Sequence, residues 1–201
     1  GEQVPPGERG VLDMGSDRRL VLDSGLVIAS HIASPDVHVD EKNKQIVMYF
    51  HGRTTLPGSQ FRRQQTYVAT SPWGLDFTSR IQSVPLSDSY LRVFEYNEML
   101  QGLTPKQFHR PSSKQTPWSS PGQWTPGEKG IWEAQETHFL KFNEAESPAS
   151  NGRRSRKVYP RHLGLHRDEN TLHVFFTMKG DSPERILVTT VDLARSNWFN
   201  V

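Results

Sequence analysis

Residues 34–52 read SPDVHVDEKNKQIVMYFHG, and after a gap residues 64–71 read QQTYVATS. Val37 and Val39 alternate with polar neighbours, the period-two pattern of a half-buried strand. Asp40-Glu41-Lys42-Asn43-Lys44 is charged, carries no apolar side chain and predicts a tight turn. Ile46 to Phe50 is a β-branched and aromatic run of strand length, which His51-Gly52 is expected to end. Tyr67, Val68 and Ala69 predict a third short strand, followed by a turn at Ser71-Pro72-Trp73-Gly74. Three short strands joined by turns make an antiparallel meander. Asp36, His38 and His51 fall near the predicted strand ends and are the side chains there with chemistry to offer.

The pattern returns. Residues 162–180 read HLGLHRDENTLHVFFTMKG: a strand, a turn at Asp168-Glu169-Asn170, a β-rich run from Leu172 to Thr177, and a closing glycine. Residues 185–191, RILVTTV, then stand where the Tyr67 strand stood. Between the two copies, residues 90–104 (YLRVFEYNEMLQGLT) read as a degenerate third. Repeated antiparallel units of ~40–50 residues are the signature of a β-propeller. A sandwich with similar hairpins is the competing all-β architecture. No window keeps an apolar stripe at helical spacing across three turns, so the fold class is all-β.

Composition narrows the function classes. The chain has 201 residues and no cysteine, which excludes disulfides and thiolate chemistry. Hydrophobic residues are only 34%, yet five Trp and ten Phe argue for a packed core rather than disorder. A net charge of +2 gives no strong field for nucleic acid. No apolar run is long enough to span a membrane. The first residue is Gly rather than Met and no signal-peptide pattern follows, so the natural N-terminus is expected to be missing or processed, and no compartment is implied.

In chain order, residues 1–10 are Pro- and Gly-rich and predict an extended start. The runs RLVL and GLVIA within residues 11–29 read as outer strands of a preceding, incomplete unit. The blade-like units then span about 30–86, 87–143 and 158–201, within a single partial domain covering 1–201. The second unit is interrupted by residues 104–130, which hold five prolines and no strand-like run. That segment predicts a long loop, functional or disordered. Trp132 to Phe142 resumes as a strand, with a short helix as the alternative. Three units and an insertion already use most of the chain, so an incomplete ring with open strand edges is expected.

Ser-Pro-Asp-Val-His at 34–38, Val-Met-Tyr-Phe-His-Gly at 47–52 and Tyr-Val-Ala-Thr-Ser at 67–71 with Gly74-Leu75-Asp76-Phe77 resemble the second-blade region of five-bladed β-propeller glycoside hydrolases. That group includes arabinanases, β-xylosidases, invertases and levansucrases. Tyr90-Leu91-Arg92-Val93-Phe94 and residues 179–186 (KGDSPERI) resemble uncharacterised relatives of the same group. The resemblance implies glycosidic hydrolysis, in which one carboxylic acid protonates the leaving oxygen and a second carboxylate activates water or attacks the sugar. The innermost-strand candidates are Asp36 and Glu95. Asp36 matches the group's Pro-Asp motif, which is not usually the base itself, and the blade that would carry the base has no counterpart here. His38, His51, Arg92, His162, Glu184 and Arg185 are candidates to bind sugar hydroxyls or line a pocket rim, and Trp118 and Trp124 to stack on sugar rings.

Each candidate also has a structural reading. Asp36 after a proline often caps a turn, Glu95 in an alternating strand often faces solvent, and a strand-end histidine often satisfies backbone groups. Trp73 reads as packing between strands, Asp181 as a turn-capping side chain, and Arg153, Arg154, Arg156 and Lys157 as a solvated surface. No phosphate cradle, zinc-ligand motif or serine-hydrolase elbow is present, so no cofactor and no metal is implied. The expected partner is an oligo- or polysaccharide. The alternative to an enzyme is a non-catalytic propeller binding carbohydrate or a protein, and one carboxylate among aromatic rings, rather than three converging carboxylates, would mark it.

Overall fold

The Asp40 carboxylate closes the first long hairpin. It accepts hydrogen bonds from the Asn43 backbone N–H at 3.1 Å, the Asn43 side-chain amide at 2.7 Å and Gln45 Nε2 at 3.0 Å. Partial burial works to raise its pKa, but these bonds outweigh that effect and hold the carboxyl below its ordinary value. The turn returns the chain through Lys44, which takes a left-handed conformation at φ 52°. The predicted charged turn is therefore present, with Asp40 as its organising acceptor.

A computed structural model describes residues 19–55, 62–77, 81–82, 85–105, 107–111, 132–138, 159–196 and 198. They form strands β1 (Arg19–Val21), β2 (Val27–Asp40), β3 (Gln45–Thr55), β4 (Arg62–Ser71), β5 (Ser87–Asp88), β6 (Arg92–Tyr96), β7 (Met99–Leu103), β8 (Gln107–Pro111), β9 (Trp132–His138), β10 (Tyr159–Asp168), β11 (Thr171–Lys179) and β12 (Leu187–Asp192). Three sheets follow chain order: β1 to β5, β6 to β9, and β10 to β12. The pairs β2–β3, β3–β4, β6–β7, β10–β11 and β11–β12 are antiparallel. The protein is all-β, with no α-helix among the described residues.

Several elements differ from the sequence reading. RLVL does not belong to a separate unit: β1 pairs with the start of β2 across a turn where Gly25 adopts φ 78° and its N–H bonds Leu22 O. β3 does not stop at His51-Gly52 but runs on to Thr55, paired with β4 down to Arg62. Gly52 sits there for packing, since a Cβ at this position would overlap Ile28 Cγ2. β8 falls inside the segment read as strandless; its Phe108 and His109 pair with Leu103 and Gly102. Residues 112–130 of that segment, with Trp118 and Trp124, lie outside the described residues.

The chain divides into two compact units, Gly1–Leu91 with Pro111–Glu133, and Arg92–Arg110 with Ala134–Val201. In the first, Leu22, Leu26, Ile28, Met48, Phe50, Tyr67, Ala69 and Phe77 form the core on one face of the sheet. Each such large apolar side chain contributes roughly 1.5–3 kcal/mol by leaving water. Tyr67 keeps its phenol satisfied in this core through Thr54 Oγ1 at 2.7 Å, and burial raises its pKa to about 12. In the second unit, Phe94 and Leu103 pack with Leu163, Leu172, Val174, Phe176, Met178, Val191, Leu193 and Trp198. Arg92 Nε donates to Leu163 O at 2.8 Å, and the Tyr96 hydroxyl to Asn170 Oδ1 at 3.0 Å, which fasten β6 to the β10–β11 hairpin.

Two substitutions check this packing. Gly52→Ala should lose about 1–3 kcal/mol in urea unfolding, and an Ile28→Ala background should shrink that increment; equal losses in both backgrounds would contradict the close approach. The β6–β7 turn places Asn97 and Glu98 at φ 51° and 59°, a left-handed pair that suits Asn better than Glu. Glu98→Gly should therefore raise stability by about 0.5–1 kcal/mol, whereas a lower melting temperature would refute the strain at this residue.

Candidate functional site

The chemistry-bearing residues of the first unit are set by irregularities in β2. The register steps from Ala29 opposite Arg53 to Ile32 opposite Gly52, then from Ala33 opposite His51 to Asp36 opposite Tyr49. The second step uses one more residue on β2 than on β3, and Ser34 occupies it at φ 53°. One extra residue reverses the facing of everything beyond it. Asp36, His38 and Asp40 consequently share the face of Tyr49 and Val47, while Val37 and Val39 turn the other way and remain 56% and 64% exposed. The alternation predicted for these valines is present, but its polarity is inverted. Pro35 is tolerated because it lies at the bulge, where the ladder is already interrupted.

On that face the side chains form a polar ladder. His38 Nε2 lies 3.1 Å from Asp36 Oδ2, and the His38 ring meets the Tyr49 ring edge-on at 5.7 Å. Tyr49 is fully buried, and burial together with the charges of Asp36 and Asp40 pushes its pKa well above the ordinary tyrosine value. Its phenol therefore keeps its proton and remains a neutral donor. Further along β3, His51 is only 1% exposed and stacks obliquely between His31 at 5.6 Å and Tyr90 at 4.5 Å. His51 thus occupies a mid-strand position rather than the strand end expected from the sequence, Asp36 lies inside β2, and His38 falls two residues from the end of β2, near the end as expected. Sequence reasoning missed Tyr49 because it sits within an apolar run; the signal was its place in the alternation, two residues before His51.

The second unit repeats the device. β10 steps from Arg161 opposite Thr177 to Gly164 opposite Phe175, again with one extra residue, and His162 holds φ 51°. Four side chains gather at this bulge. The Arg161 guanidinium donates to His162 Nε2 and stands 3.6 Å from Glu184 Oε1. Thr177 Oγ1 donates to Glu184 Oε1 at 2.5 Å and also lies 3.1 Å from Arg161 O. Arg92 anchors on the neighbouring Leu163 carbonyl. Partial burial, then the Arg161 charge, lower the His162 pKa, with Arg92 adding and Glu184 opposing. His162 is thus a neutral imidazole at pH 7, its Nε2 accepting and its proton on Nδ1.

The remaining candidates separate. Arg185 is exposed and pairs with Asp181 through two bonds of 2.9 and 3.1 Å, while Glu184 turns to Arg161 and Thr177. Glu95 is exposed on β6, in the unit that does not contain Asp36. Trp73 is 84% exposed, not packed between strands, because Ser71 Oγ accepts the Gly74 N–H at 3.0 Å and holds the turn outward. Among the described residues no group of three or more metal-ligating side chains comes together, and no helix is long and apolar enough to cross a membrane.

No protein-family model matches the chain, and no solved structure does. It is similar to an uncharacterised protein of Acanthamoeba polyphaga mimivirus, 29% identical over 169 residues. That similarity covers 84% of this chain and 42% of the viral protein, so the chain spans less than half the length of the relative it matches.

Proposed function

We propose that the chain is part of a carbohydrate-active protein of β-propeller type, and that Asp36 and His38, backed by the buried Tyr49, are its saccharide-contacting surface. The observation that carries this reading is the inversion of β2. A single-residue bulge turns a carboxylate and an imidazole toward the buried phenol and leaves two valines in solvent. The valines lie across from Met48 and Ile46 on the other face, so the polar pair rather than an apolar one sits beside the phenol. A carboxylate acceptor beside an imidazole offers the mixed acceptors and donors that vicinal sugar hydroxyls require, with the buried Tyr49 ring behind them. The recurrence of the same bulge in β10, with consecutive meander sheets, supports the propeller reading.

The chemistry of this face favours recognition over hydrolysis. The second carboxylate on the same side of β2, Asp40, is four residues away, about 13 Å along a strand. Hydrolysis requires carboxyl groups roughly 5–9.5 Å apart, one of them protonated. Asp40 meets neither condition, since its bonds to Asn43 and Gln45 keep it ionised. A second reading, hydrolysis in which Asp36 is one of the carboxyl groups, draws on the half-buried position of Asp36 just beyond the bulge and on the family resemblance.

Asp36→Asn distinguishes the two. Loss of a charge-assisted acceptor should weaken binding of an oligosaccharide, identified on a glycan array, about tenfold or more while the melting temperature stays within a degree or two. Retained binding with abolished hydrolysis of aryl glycosides would establish the catalytic reading instead. Unchanged binding with a sharply lower melting temperature would make Asp36 structural and overturn both.

A further inference from the structure

We propose that His166 and His173 bind one borderline divalent ion, Zn²⁺ or Cu²⁺, on the solvent face of the β10–β11–β12 sheet, a site independent of the saccharide reading above. The two residues are direct cross-strand partners. Leu172 and Val174, on either side of His173, are fully buried in the core of the second unit, so the pleat sends both imidazoles to the opposite face. There His166 is exposed and His173 half-buried. Their ring centres lie 5.9 Å apart, with the planes tilted by 36°. Two imidazoles bound at ~2.0–2.1 Å to one tetrahedral ion have ring centres about 5 Å apart, so a small side-chain rotation closes this pair on a metal.

The surroundings favour this use. Among the described residues neither imidazole makes a hydrogen bond or an ion pair; their contact is with each other. The backbone beneath them is fixed. Pairing runs unbroken from Gly164 opposite Phe175 to Asp168 opposite Thr171, and β12 sets Thr190 against the other side of His173. Ligands carried on paired strands hold their geometry better than ligands on loops. Asp168, next on the same face of β10, lies about 7 Å along the strand. It does not join the pair as a third ligand, but its carboxylate adds negative charge that favours a cation. Two nitrogen donors, with water completing the shell, select Zn²⁺ and Cu²⁺ over Mg²⁺ and Ca²⁺, which demand oxygen.

Calorimetric titration of the full chain with ZnCl₂, CuCl₂ and MgCl₂, with the histidine ring signals followed by NMR, tests this. Of the eight histidines, His166 and His173 should respond first to Zn²⁺, at one ion per chain. Cu²⁺ should bind more tightly than Zn²⁺, and Mg²⁺ should displace neither. His166→Ala and His173→Ala should each weaken Zn²⁺ binding about tenfold or more, because a single imidazole cannot chelate. Phe175→His tests the site by gain and keeps the test decisive where an alanine variant does not fold. Phe175 is two residues from His173 on the same face and 39% exposed, so a third imidazole there should tighten Zn²⁺ binding about tenfold or more. Unchanged Zn²⁺ affinity in either alanine variant or in Phe175→His would overturn the inference. A first response at other histidines, or displacement of Zn²⁺ by Mg²⁺, would overturn it as well and leave His166 and His173 as a ring contact alone.

Discussion

Side chains on a β-strand alternate strictly between two faces, so a strand has only two ways to present itself and one inserted residue exchanges them. The arrangement of this protein depends on that constraint. At Ser34 the insertion sends Asp36 and His38 to the side of Tyr49 and His51, and Val37 and Val39 to the side of Met48 and Ile46, where they remain exposed. Solvent exposure of two valines and a left-handed non-glycine residue both disfavour this solution. The strand keeps it because pairing with β3 on both sides of the insertion fixes the register, and Asp40 locks the turn that follows.

The same constraint acts at His162. Both bulges lie on the first long strand of a meander, just ahead of a tight turn opened by an aspartate, Asp40 in one case and Asp168 in the other. What the bulge presents differs. In the first sheet it is a carboxylate paired with an imidazole; in the second it is guanidinium groups around a neutral histidine, with Gly164 rather than a carboxylate following the insertion. The same backbone device thus carries different side chains in the two sheets.

Much of this order was legible in the sequence. The charged turn at Asp40, the β-rich run after it and the echo around residues 162–180 gave antiparallel hairpins, because turn chemistry and strand period are local properties. The facing of β2 was not legible. A period of two says which residues share a side but not which side is buried, and a bulge centred on Ser34 has no composition that distinguishes it from a turn. Strand ends were also misplaced, since His51 and Gly52 look like terminators while tertiary packing against Ile28 requires the glycine and continues the strand. Arg161 and Thr177 gained their roles only when the register set them opposite one another, with Glu184 brought to them by the loop after β11.

A nuclear Overhauser spectrum of the aromatic region reads the facing of β2 directly. With the bulge at Ser34, the His38 ring protons lie beside those of Tyr49, and strong cross-peaks between the two rings are expected. Cross-peaks from the Val37 and Val39 methyl groups to the Tyr49 ring, with none from His38, would show a regular strand facing the other way and would contradict the polar ladder on which the functional reading is built.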